Sequence, residues 1–133
     1  MVIGIIQNNW GNLRGESVNW LGKTGFAHGF SVFESPQMGV RALQSNLIVY
    51  LKRGINTIPS IIGTYAPSSE NDTKAYIDFV VKKTGIAPDK KVTINDLPNL
   101  ISAIVKKEVG LSKSPGEISE LLALSENFKK KVA

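Results

Sequence analysis

Ser35-Pro36-Gln37-Met38-Gly39-Val40-Arg41-Ala42-Leu43-Gln44-Ser45-Asn46-Leu47-Ile48-Val49-Tyr50-Leu51-Lys52-Arg53-Gly54 is the stretch on which the fold turns. Serine followed by proline places an N-cap before a residue whose fixed φ suits the first helical position, and Gly54 closes the segment. Between them Val40, Leu43, Leu47, Tyr50 and Leu51 fall at i, i+3, i+7, i+10 and i+11, one stripe of a helix.

The helical pattern continues downstream. Thr57 opens a short second helix through about Tyr65, and Pro67 stops it. Ser68-Ser69-Glu70-Asn71-Asp72 supplies caps and early negative charge for a third, Asp72 to Thr84, whose last turn carries Lys82 and Lys83 before Gly85. Asn95 or Asp96 opens a fourth, with Leu97, Leu100, Ile101, Ile104 and Val105 inward and Gly110 at its end. Ser114-Pro115-Gly116-Glu117 is a capping box for a fifth, with Ile118, Leu121, Leu122 and Phe128 on its apolar face.

Upstream of Ser35 the composition changes. Residues 1–34 hold six of the twelve glycines, both tryptophans and three of the five phenylalanines, which favours turns and short strands over helix. Phe30-Ser31-Val32-Phe33 reads as a strand, Ser17 to Leu21 as its partner and the segment beginning Gly22-Lys23-Thr24-Gly25 as the connection. His28, between Ala27 and Gly29, reads as an exposed loop residue. The expected fold is therefore mainly α with a small N-terminal β-hairpin, in one domain. Residues 1–34 form the hairpin region, 35–128 the helical body and 129–133 a frayed basic tail.

The whole chain has 133 residues, 42% of them apolar, with 16 Lys and Arg against 11 Asp and Glu. That balance excludes intrinsic disorder throughout. The apolar run Val2 to Ile6 is too short to span a membrane and lacks the charged start and cleavage site of a secretory signal. Without cysteine, and with His28 as the single histidine, the sequence offers no disulfide, thiolate nucleophile or His-pair metal motif, so neither metal nor cofactor is expected. Ten lysines against six acids in residues 82–133 read as solvated helix ends. A weak attraction to a polyanion is the alternative, but no basic recognition helix or aromatic RNA-binding sheet accompanies it, so nucleic acid is not an expected partner.

The ordered series Asn8-Asn9-Trp10-Gly11-Asn12-Leu13-Arg14, Trp20-Leu21-Gly22, Phe30 to Ser35 and Gly39-Val40-Arg41-Ala42-Leu43 resembles a family of small phage and prophage virion structural proteins. Tyr50 to Ile58, Tyr65-Ala66-Pro67, Glu70-Asn71-Asp72-Thr73 and Tyr76-Ile77 continue the resemblance. Lys107-Glu108-Val109-Gly110 is similar to the family's closing helix, with Val109 where Asn is more usual. The resemblance implies location in a virion, or in the host cytoplasm before release, and other virion proteins as partners.

The Gly-Asn-Leu-Arg turn, the Trp20-Leu21-Gly22 step and the aromatic strand before a helix also resemble the hairpin region of lysozyme-like peptidoglycan hydrolases of the glucosaminidase type. That resemblance implies a lysozyme-like two-part architecture, peptidoglycan glycan strands as partner, and Asn12, Arg14, Trp20 and Phe33 as groove residues. Those enzymes carry their acid on a helix before the hairpin, where this chain has only Met1 to Gln7.

Glycan cleavage needs a protonated carboxyl at the glycosidic oxygen, usually with a second carboxylate about 5–9 Å away. Glu16, Glu34 and Glu108 are alternative candidates for the acid. Glu16 lies between the two tryptophans. Glu34 stands at the strand-to-helix corner, where it could instead complement the next helix N-terminus. Glu108 lies one turn beyond Ile104 and Val105, where it could instead tie the hairpin to the helices through backbone or Arg14. Asn12 and Arg14 can equally serve as turn stabilisers, Trp10 and Trp20 as core, and Tyr65, Ala66 and Pro67 as packing at a helix junction. Glu70, Asn71 and Asp72 offer oxygen donors to a hard cation, but at a helix start they read as a cap. The two functions left open are a virion-associated protein that engages peptidoglycan, with glycosidase or transglycosylase chemistry, and a noncatalytic virion component.

Overall fold

A computed structural model describes residues 2–68 and 72–132, excepting the side chains of 128–132. The fold is mainly α with a small antiparallel hairpin. In chain order the elements are α1 (Ile3–Ile6), β1 (Lys23–Ala27), β2 (Phe30–Phe33), α2 (Pro36–Lys52), α3 (Ile58–Tyr65), α4 (Thr73–Thr84), a 3₁₀ turn (Ile94–Asp96), α5 (Leu97–Val109) and α6 (Pro115–Val132).

The helices follow the apolar pattern and the caps. Val40, Leu43 and Leu47 are buried along α2, with Tyr50 and Leu51 packed against the same core. Ser35 is extended as expected of an N-cap, but its hydroxyl makes no capping bond. In α3 Thr57 and Ser60 cap reciprocally, and Asp72 opens α4 by accepting from Ala75 N at 3.1 Å. The Ser114–Glu117 box forms in both directions at the start of α6, at 3.0 and 3.1 Å. Ile118 is fully buried there, with Leu121 and Leu122 packed beside the core. The expected roles of Ser69, Glu70, Asn71 and the Phe128 side chain lie outside the described residues and side chains, whereas the backbone of 129–132, expected to be frayed, continues α6.

Helix α5 is the centre of the molecule. Leu97, Leu100, Ile101, Ala103, Ile104 and Val105 are all fully buried, so nearly its whole circumference is covered, by α1, α2, α4 and α6. A helix sealed in this way can expose a polar side chain only at its ends. Glu108 occupies the last turn.

The hairpin differs from the sequence expectation. The partner of β2 is Lys23–Ala27, and His28-Gly29 is the turn, whereas Ser17 to Leu21 form no strand. The reason is backbone conformation. His28 and Gly29 have φ of 57° and 82°, which suits a tight two-residue hairpin turn matched to the twist of its strands. His28 is exposed there, as expected of a loop residue. The helical turn α1 was also not anticipated, because a four-residue element carries too little periodicity to read.

A two-stranded ribbon is marginal alone, and here the second edge of β2 is covered by residues 7–13. Phe33 N donates to Gln7 O at 2.9 Å and Ser31 N to Leu13 O at 3.0 Å. Amide side chains complete this third lane. Asn8 Nδ2 reaches Phe33 O at 3.1 Å, and Asn9 Nδ2 reaches Ser31 O at 2.9 Å and Leu13 O at 2.8 Å. The lane also presses on α2, where a Cβ added at Gly39 would stand 1.9 Å from Asn8 O.

Gly39→Ala forces a methyl into a backbone carbonyl and should cost about 3 kcal/mol or more in urea denaturation. Gly63→Ala, in open space on α3, should gain ~0.5–1 kcal/mol through helix propensity. Equal effects of the two would refute the close approach. The Asp96 and Glu117 carboxyls are held below their ordinary values of 3.8 and 4.5, chiefly by the backbone N–H of Thr93 and of Ser114 respectively. Depressed carboxyl values stabilise the fold above the ordinary range, and that contribution is lost as pH falls through the folded values. The melting temperature of the Asp96→Asn/Glu117→Gln double variant should therefore fall less steeply below pH 4.5 than that of the parent.

Candidate functional site

Between the hairpin region and the helical body lies an open groove of about 410 Å³. Residues 11–15, Val18, Trp20 and Phe30 form one wall, and Asn46 and Tyr50 of α2 belong to the other. Tyr65 and Ala66, at the end of α3, and Glu108 of α5 complete the lining.

Glu108 is half-buried, and both its oxygens are occupied. Asn12 Nδ2 donates to Oε1 at 2.9 Å and the Tyr76 hydroxyl to Oε2 at 2.8 Å. Asn12 can reach it because the chain there adopts a left-handed turn, with φ of 52°, which asparagine tolerates better than most residues. Tyr65 donates its hydroxyl to Gly11 O and so ties α3 to the same turn. Burial first, and the negative charge of Glu108 second, raise both the Tyr65 and Tyr76 phenols above their ordinary value of 10.0. Both phenols therefore remain protonated and keep the hydroxyl hydrogens with which they donate here. Each carboxylate oxygen of Glu108 retains a further lone pair for a molecule in the groove.

The structure brings Asn12, Arg14, Trp20 and Glu108 together around this groove and leaves Glu16, Glu34 and Phe33 out of it. Glu16 is exposed and lines a separate shallow depression with Lys23 and Phe26, because the loop turns it away from the helices. Glu34 is exposed at the corner before α2. Phe33 is 2% exposed. Strand alternation sends it to the core, while Phe30, three residues earlier, lines the groove. Trp10 is core and Trp20 is half-buried on the groove wall. Tyr65 packs the helix junction as expected and also faces the groove. The anticipated Glu108–Arg14 tie is replaced by Asn12 and Tyr76, since the Arg14 guanidinium lies over Phe30, 4.8 Å from the ring centroid.

Sequence reasoning missed Tyr76 as a partner of Glu108, and Asn46 and Tyr50 as groove lining. The spacing of Tyr76 on the buried face of α4, with Val80 one turn on, was the available signal for the first. Among the described residues no group of acids and histidine is placed to hold a metal ion. Among them, too, no helix is long and apolar enough to cross a membrane.

No known protein family's sequence profile matches the chain. Over 82 residues it is 42% identical to Protein P5 of Pseudoalteromonas phage PM2, an alignment covering 61% of this chain and 51% of that protein. The chain is thus similar to a phage protein, and the match spans about half of that relative's length.

Tyr76 is 2% exposed, so Tyr76→Phe removes a hydrogen bond to a carboxylate from an almost dry position. A loss of about 1.5–3 kcal/mol in chemical denaturation is expected. In a Glu108→Gln background the same change should cost distinctly less, and equal costs in both backgrounds would show that the pair does not interact.

Proposed function

We propose that this chain is a phage-associated protein that holds glycan strands of bacterial peptidoglycan in the groove and cleaves them with Glu108 as general acid. The observation that carries the reading is the position of Glu108. Among the described residues it is the one carboxylate lining the groove, and it lies against the Gly11-Asn12-Leu13-Arg14 turn. Similarity to a phage protein supports the setting.

The lysozyme-like architecture belongs to this proposal, with the whole chain acting as one domain. In the hydrolases that the hairpin resembles, the acid-bearing helix precedes the hairpin. In this chain α5 follows it, yet Asn12 and Glu108 meet across 96 positions of sequence. A carboxyl delivered from the later helix satisfies the same spatial need. Trp20 and Phe30 offer faces on which sugar rings stack, and Asn12 and Tyr76 fix the carboxyl. In its protonated form, the proton taken up from solvent, Glu108 gives that proton to the glycosidic oxygen as the bond from that oxygen to the sugar's C1 breaks, and C1 is captured by water, or by the sugar's own 6-hydroxyl in a transglycosylase.

A noncatalytic virion component is the second reading, and one observation favours it. Both oxygens of Glu108 are already engaged, so the residue also serves as a clasp between the hairpin region and α4.

Release of soluble muropeptides from purified cell walls separates the readings. The parent should release them, Glu108→Gln should fall about 10²–10⁴-fold, and Glu16→Gln and Glu34→Gln should retain activity. Reducing-end or anhydro products would distinguish a glycosidase from a transglycosylase. No release with wall pelleting retained would indicate binding alone, and absence of both would leave the assembly role.

A further inference from the structure

Arg14 is a cation in the groove wall that neither the fold nor the cleavage chemistry employs. Its backbone is fixed on β2, where Ser31 Oγ donates to Arg14 O at 2.6 Å and Ser31 N to Leu13 O at 3.0 Å. Its guanidinium is laid on the Phe30 ring at 4.8 Å. Arg14 and Phe30 both line the groove that holds Glu108. Among the described residues, no carboxylate forms an ion pair with Arg14 and no acceptor takes a hydrogen bond from its guanidinium.

We infer that Arg14 reads a carboxylate carried by the bound strand, so that the groove selects acid-substituted glycan over neutral glycan. The inference rests on the glycan reading above and narrows its substrate class. A planar guanidinium matches a carboxylate with two parallel N–H donors. Support from Phe30 restricts the side chain before the ligand arrives, which lowers the ordering cost of binding. The stacked face is occupied by the ring, and the donors at the guanidinium edge remain available to a ligand. Glu108 is satisfied by neutral partners, Asn12 and Tyr76, so it does not need Arg14 as a counter-ion.

The carboxylate has two possible origins on such a polymer: the lactyl ether of the sugar itself, or the peptide attached to it. Calorimetric titration of the Glu108→Gln protein with three ligands tests the inference and separates these sources. The ligands are a neutral chitin hexamer, glycan strands stripped of peptide but retaining lactyl groups, and peptide-bearing strands. The acidic strands should bind about tenfold or more tightly than the neutral hexamer, and added salt should shrink the gap. Adding Arg14→Gln should bring that ratio close to one, whereas Arg14→Lys should keep part of it. Preference for stripped strands assigns the lactyl group, and preference confined to the third ligand assigns the peptide. Binding without preference, or preference that survives Arg14→Gln, overturns this inference alone. Failure of all three ligands to bind overturns the glycan reading and this inference with it.

Discussion

The hydrogen bond from Asn12 to Glu108 links two residues 96 positions apart, and much of the molecule is arranged so that it can form. Glu108 belongs to the last turn of α5, half-buried where the end of that helix meets the groove. Burying an ionised group is costly unless its oxygens are bonded. Asn12 supplies one donor and Tyr76 the other, so the N-terminal segment, α4 and α5 meet at a single carboxyl. Loss of either donor affects the seam between hairpin region and body as well as the local bond. The groove is open on the solvent side of that seam.

Amide side chains place the Asn12 turn. Residues 7–13 have little regular structure, yet Asn9 is fully buried and its side chain both donates to the carbonyls of Leu13 and Ser31 and accepts from Leu13 N at 2.9 Å. This is a strand's work done with side chains. The edge of β2 is satisfied on one side by β1 and on the other by Gln7, Asn8, Asn9 and Leu13. Buried polar groups must be paired, and a network with every member paired fixes one geometry where an apolar contact would tolerate several. The wall that carries Arg14 and Phe30 is consequently held by β2 and by the lane beside it.

The parts legible in the sequence are those set by local periodicity and caps. Leu97, Leu100, Ile101, Ile104 and Val105 announce α5 by spacing alone, and the Ser114–Glu117 box marks the start of α6. The hairpin partner was not legible, because Ser17 to Leu21 and Lys23 to Ala27 carry comparable strand signals. The choice between them rests on the left-handed backbone at His28 and Gly29. Phe33 and Phe30 have the same side chain, and only the phase of β2 against the core separates a buried residue from a groove residue. Among the carboxylates, Glu16 lies between two tryptophans along the chain. Glu108 gave a weaker local signal, yet it is the carboxylate that meets the groove. Sequence neighbourhood is a poor guide to a site assembled across 96 positions.

On the proposed reading, the same long-range assembly would let a hydrolase site accept a change in the order of its parts. A carboxyl at the end of a buried helix requires only that the hairpin turn lie against that end; it does not require the helix to come first. Here α1 and the Asn12 turn bring the beginning of the chain to the end of α5. The groups facing the groove are a carboxyl held by two neutral donors, a half-buried indole, and a guanidinium on an aromatic face. The fixed elements, α5 and the hairpin, meet these side chains at the seam. Arg14 and Glu108 both line this one groove. Among the described residues no carboxylate pairs with the guanidinium, whereas Glu108 is held by its own donors. The glycan proposed for this groove, acidic substituents on a neutral sugar backbone, would meet the cation at a substituent and the carboxyl at a glycosidic oxygen.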